Sequence, residues 1–120
     1  MANPGTPSGT QTFPLPFVGW LRTLYTWVQS KFGVVFVTSN YTVLENIYYV
    51  SCNSTGGAFT VTLPSATGRS GREIIIKRMN AGVNAVTIGA TIDGVVNPTL
   101  AAQYAYKRVF CDGSVWNDVT

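Results

Sequence analysis

Thr60-Val61-Thr62-Leu63-Pro64-Ser65-Ala66-Thr67-Gly68-Arg69-Ser70-Gly71-Arg72-Glu73-Ile74-Ile75-Ile76-Lys77-Arg78 reads as a strand, a turn and a second strand. Phe59, Val61 and Leu63 are apolar at every second position, with Thr60 and Thr62 between them, which is the period of a strand that buries one face. Pro64 has no amide hydrogen to donate and ends the ladder. Residues 65–70 are rich in turn formers, and Gly68 and Gly71 permit backbone angles that a Cβ disfavours. Three consecutive isoleucines at 74–76 then suit a strand covered on both faces. The centre of the chain is therefore expected to be a sheet with a packed interior.

The same residues carry a resemblance. A strand ending Thr-Val-Thr-Leu-Pro is followed by Gly68-x-x-Gly71 and a basic-flanked isoleucine strand. After these come Val86-Thr87-Ile88, Ile92-Asp93-Gly94 and Asp112-Gly113-Ser114-Val115-Trp116. In this order the parts resemble the β-rich module of tailed-bacteriophage virion proteins, found in tail fibres and in small capsid-bound proteins. The resemblance covers roughly residues 41–116 and leaves out the first forty. It implies a module that usually assembles as a trimer, and it speaks to architecture more than to role.

Size and composition narrow the possibilities. At 120 residues the chain holds one domain and an appendage. Apolar residues make up 46% and charged residues 11%, so the chain is far from the disordered class. That charge content is about half the usual ~25%. A small monomer so poor in charge has difficulty covering its surface, which points to extensive contact with other protein. The net charge of +3 comes from scattered Lys and Arg interleaved with acids, without the dense basic patch of a nucleic-acid footprint. Arg69 and Arg72, beside flexible glycines, are candidates for contact with an acidic partner surface.

The N-terminal third differs from the rest. Residues 1–16 form an expected extended arm, because Pro4, Pro7, Pro14 and Pro16, with Gly5 and Gly9, oppose both helix and central strand. Such an arm is expected to be disordered by itself and to become ordered only where it lies over a neighbouring subunit or partner. Residues 17–33 are expected to form an amphipathic helix. Phe17, Trp20, Leu21, Leu24, Trp27, Val28 and Phe32 recur at three- and four-residue spacing, with Pro16 suited to the first turn and Gly33 to the stop. Partner binding is assigned to the arm and this stripe, through Pro4, Pro7, Phe13, Pro14, Phe17, Trp20, Leu24 and Trp27. Packing on the chain's own sheet is the competing use of the stripe. Arg22, Gln29, Ser30 and Lys31 interrupt the apolar run, so no membrane span is expected. Residues 1–10 have neither a basic region nor an apolar core of a secretory signal.

Residues 34–120 form the expected β domain. Val34-Val35-Phe36-Val37 is a short apolar strand or link, and residues 41–52 read as a strand. Asn53-Ser54-Thr55-Gly56-Gly57 reads as a hairpin loop leading to the strand that ends at Leu63. Residues 74–79 and 83–88 read as another pair joined by a short turn. Residues 100–104 are either a strand or a brief helical turn. Residues 106–111 and 115–119 read as a last hairpin about Asp112-Gly113. Strands arriving about every eight to twelve residues indicate a mainly β fold. A small antiparallel β-sandwich, a barrel or a trimeric prism would fit, with one N-terminal helix and the arm. No exact internal repeat is visible, which argues against a regular solenoid.

Residues that carry chemistry are sparse. There is no histidine, hence no general base or metal ligand of the commonest kind. Cys52 and Cys111 lie in separate expected strands and lack metal-ligand spacing. Buried thiols are the favoured reading, and one disulfide is the alternative. Glu45, Glu73, Asp93, Asp112 and Asp118 are the only carboxylates available to a glycosidase-like pair, and turn formation explains Asp93 and Asp112 more simply. Tyr48, Tyr49, Tyr104, Tyr106 and Trp116 suit either the core and trimer seam of a sheet module or sugar stacking, with the core favoured.

With the role that the resemblance to phage virion modules implies, the expectation is a non-enzymatic virion structural protein without cofactor or metal, and with no nucleic-acid or membrane partner. The expected form is a homotrimeric capsid decoration (cement) protein, made in the host cytoplasm, that binds the major capsid protein and stabilises the shell. The short chain favours this over the alternative, a tail or head fibre that binds a host receptor.

Overall fold

The computed structural model describes residue 19, residues 21–24 and residues 33–120. Met1–Ser30 and Lys31–Thr120 form two separate compact units. In the first, residues 19 and 21–24 are helical. There the Thr23 hydroxyl donates to the Gly19 carbonyl one turn earlier, at 3.0 Å. Gly33, expected as the helix stop, is instead the first residue of a strand; the remainder of the expected helix and the whole arm lie outside the described residues.

The second unit is built from strands. Seven of them form one sheet: β1 (Gly33–Val37), β3 (Ile47–Cys52), β5 (Glu73–Arg78), β10 (Tyr106–Cys111), β11 (Trp116–Asp118), β7 (Thr91–Ile92) and β8 (Val95–Val96), adjacent in that order. Four form the other: β2 (Tyr41–Thr42), β4 (Phe59–Thr62), β6 (Val86–Gly89) and β9 (Thr99–Leu100). This mainly β, two-sheet architecture is the expected sandwich-like class.

The pairing within the sheets departs from the antiparallel expectation. From β1 to β6 the chain alternates between sheets, and neighbours within each sheet run parallel. Residues 53–57 and 79–82 are therefore crossings from one sheet to the other, not hairpin loops, and residues 65–72 cross back the same way. Residues 41–52 likewise divide between β2 and β3. The result is three stacked rungs, a winding closer to a short solenoid than to a meander. Alternating burial has the same period in a hairpin and in a rung, so the side-chain pattern cannot separate the two. Antiparallel pairing returns in the last third, where β10 joins β5 and β11, β7 joins β8, and β9 joins β6. The hairpin about Asp112-Gly113 is as expected. Asp93-Gly94 makes the two-residue β7–β8 turn, with φ of 49° and 81°. Residues 99–104 resolve into β9 followed by a turn.

One core lies between the sheets. Val50, Cys52, Ile74, Ile76 and Val109 fill it from one side, and Val61, Val86 and Ile88 from the other. Each such aliphatic side chain contributes about 1.5–3 kcal/mol on burial. Trp116 closes the end of the core, 4% exposed, and its indole N–H donates to the Pro64 carbonyl at 3.0 Å. Cys52 and Cys111 are buried free thiols. Burial pushes the Cys52 thiol up to about 12. The isoleucine run is not covered on both faces as expected: Ile74 and Ile76 are fully buried, whereas Ile75 faces outward and is half-buried.

Candidate interaction surfaces

The crossing between β4 and β5 places Arg69 and Arg72 in a cleft of about 420 Å³, with Glu45, Tyr48 and Glu73 on its walls. Gly68 and Gly71 adopt φ of 78° and 89°, which bends the loop back along the end of β10. The Gly71 amide donates to the Cys111 carbonyl, and the Cys111 amide to the Arg72 carbonyl, both at 2.8 Å. Arg69 pairs with Glu45 at 2.7 Å and also donates to the Ser65 carbonyl. Arg72 donates to the Leu44 carbonyl at 2.8 Å and to the Glu73 carbonyl at 3.3 Å. Desolvation lowers the Arg72 pKa from its ordinary value, with Glu45 opposing and Arg69 reinforcing that shift. Both guanidiniums thus have acceptors within the chain, so an acidic partner would have to displace Glu45 from Arg69.

The other carboxylates also have local partners. Glu73 accepts from Arg108 at 2.5 Å and Asp118 from Lys107 at 2.7 Å. Asp93 accepts the Asp118 amide. Asp112 accepts the Ser114 and Val115 amides, both at 2.9 Å. These two amide bonds, with one from Asn117, hold the Asp112 carboxyl below its ordinary value. The turn-forming reading of Asp112 is therefore visible as bonds. Among the described residues no three His, Cys, Asp or Glu side chains gather as a metal site needs, and no helix is long and apolar enough to cross a membrane.

Of the residues assigned to partner binding, Leu24 is described and is exposed. Pro4, Pro7, Phe13, Pro14, Phe17, Trp20 and Trp27 lie outside the described residues. Among the aromatic candidates, Trp116 belongs to the core, Tyr48 and Tyr49 are half-buried, and Tyr104 and Tyr106 are exposed.

The strand register assembles a further surface. On the outer face of the seven-stranded sheet, Phe36, Ser51, Lys77 and Tyr106 form one row across β1, β3, β5 and β10. Val34, Tyr49, Ile75 and Arg108 form the next. Glu73, Phe110 and Asn117 continue it across β5, β10 and β11. Six of these eleven residues are apolar or aromatic, and several are open to solvent: Phe36 is 79% exposed, Val34 53%, Tyr106 47% and Phe110 38%. Lys77 extends over the Tyr104 ring, 5.6 Å from its centroid. The outer face of the four-stranded sheet is different. Thr42 pairs with Thr62, and Thr60, Thr87 and Thr99 form a row across β4, β6 and β9. Sequence reasoning did not find the apolar face. Residues 34–37 are apolar at all four positions, so no alternation marks Val34 and Phe36 as outward, and the other strands reach the face only through long-range pairing.

These features define a class of protein: a two-sheet β protein wound in parallel rungs, with one threonine-lined and one apolar outer face. No protein-family model and no curated protein matches the chain.

Proposed function

We propose that the chain is a non-enzymatic virion structural protein, a homotrimeric capsid decoration protein that binds the major capsid protein and stabilises the shell. The observation that carries this reading is the apolar outer face of the seven-stranded sheet in a chain with only 11% charged residues. Such a surface is suited to burial in an assembly. The resemblance of residues 41–116 to phage virion modules supplies the kind of assembly. In this reading the protein is made in the host cytoplasm and ends on the capsid surface. Residues 1–16 and the Phe17, Trp20, Leu24, Trp27 stripe dock on capsid subunits, and several weak contacts per trimer add through multivalency.

The short fibre with a host receptor is the second reading, and the rung winding of β1 to β6 favours it. Stacked parallel rungs are how shafts extend along one axis. Copy number in purified phage particles separates the two, with hundreds of copies expected for decoration and a few tens or fewer for a fibre. Deletion of residues 1–16 is expected to abolish particle binding while the β domain stays folded. A truncated protein that still decorates particles contradicts the role of the arm.

A further inference from the structure

We infer that the outer face of the seven-stranded sheet, centred on Phe36, Tyr49, Ile75, Tyr106 and Phe110, is the seam through which copies of this chain meet. The inference rests on the self-assembling reading above and names the surface that performs it. The two outer faces of the same fold provide an internal contrast. Threonine lines the four-stranded sheet, where a hydroxyl satisfies water and the branched Cβ suits a strand. The same outward positions on β1, β5 and β10 hold Val34, Phe36, Ile75 and Phe110, which gain nothing from water.

The dimensions fit a protein face better than a peptide. The strands β1, β3, β5, β10 and β11, three to six residues long and spaced ~4.8 Å apart, give roughly 410 Å² in projection. That is about half of the ~800 Å² each partner gives to a standard interface. The surface is a sheet face and not a groove, so its complement is another broad face, packed about 10 Å away as in a sandwich.

Charge favours a second copy over a partner of one sign. Glu73, Lys77 and Arg108 put both signs on the face, and Glu73 and Arg108 already pair with each other. With that pair closed within the chain, only Lys77 adds charge and the face is nearly neutral, so it suits a second, equally charge-poor copy better than a strongly acidic or basic surface.

The test uses the purified full-length chain. Sedimentation equilibrium of the wild type is expected to give an oligomer. Phe36→Lys and Phe110→Lys are expected to weaken association at least about 100-fold, to a monomer with unchanged circular dichroism. Thr42→Lys and Thr62→Lys on the opposite face should keep the wild-type mass. A monomeric wild type, or face variants that keep its mass, overturns the inference. Hydroxyl-radical footprinting of the wild type across the association range needs no variant to fold. Phe36, Tyr106 and Phe110 should become protected while the exposed Val83 does not, and protection confined to other residues also overturns it. Particle binding is not an arm of these measurements. An oligomer through this face that binds no phage particle would end the virion reading and leave the seam standing. A protein that decorates particles and associates elsewhere would do the reverse.

Discussion

Arg78 donates from a guanidinium with no exposed surface to the carbonyl of Ala101, at 2.5 Å. Its other terminal nitrogen donates to the Gly82 carbonyl at 2.6 Å. On the backbone, the Arg78 amide donates to the Ala105 carbonyl, and its own carbonyl accepts the Tyr104 amide at 2.8 Å. One side chain at the end of β5 thus ties the crossing to β6 to the turn after β9. The partners are carbonyls, so the bonds supply the direction of the loops as well as energy.

Replacing Arg78 removes the donor from two carbonyls and leaves a void where a fully buried side chain stood, so Arg78→Ala is expected to destabilise the domain by about 3–5 kcal/mol. Urea denaturation at neutral pH measures it. Arg78→Lys should recover only part of the loss, since one ammonium cannot reach both carbonyls with the fixed fork of arginine. A change below about 1 kcal/mol for the alanine variant would contradict this account.

Asp118 links stability to pH. The Lys107 ammonium, and then the Thr120 hydroxyl, lower its carboxyl to about 2. A depressed folded-state value means that the contribution is present above the unfolded value near 4 and is lost as pH falls toward 2. The pair is partly exposed, so solvent screening keeps the effect to about 1 kcal/mol or less. Unfolding of wild type and Asp118→Asn should differ at pH 6 and converge near pH 2. A gap that persists at pH 2 would mean that packing or the Thr120 contacts, and not the charge, supply it.

Cys52 should be unreactive in the folded protein. Burial raises its thiol to about 12, so almost none is thiolate at pH 8 and the sulfur is also shielded. Maleimide labelling followed by peptide mapping should find Cys52 unmodified in native protein and modified in urea. The sign of the linkage is opposite to that of Asp118. Stability is full below the unfolded thiol value near 8.5 and declines as pH rises toward 12. Rapid native labelling of Cys52 would show that the core opens near β3.

Much of the β domain was legible residue by residue. The alternation around Val61 located β4, the isoleucine run located β5, and Asp112-Gly113 located the final hairpin. What stayed hidden was the rung repeat. Val37, Cys52 and Arg78 share one register position, as do Tyr41, Val61 and Ile88. The first three lie 15 and then 26 positions apart, and the second three 20 and then 27, so no fixed period appears in the chain. Of the candidate sites, Arg69 and Arg72 share one cleft and face Glu45 and backbone carbonyls of their own chain.

The order of amino acids alone determined where this chain is extended and where it turns. Alternation, proline, glycine and Asp-Gly pairs act within a few residues of themselves, and that range suffices for local conformation. Only the tertiary structure decided which strands lie side by side. Pairing is chosen by burying all the inward side chains at once, across separations of up to dozens of residues. That choice set Phe36 of β1 in one row with Tyr106 of β10, and so made a surface from residues that no local pattern connects.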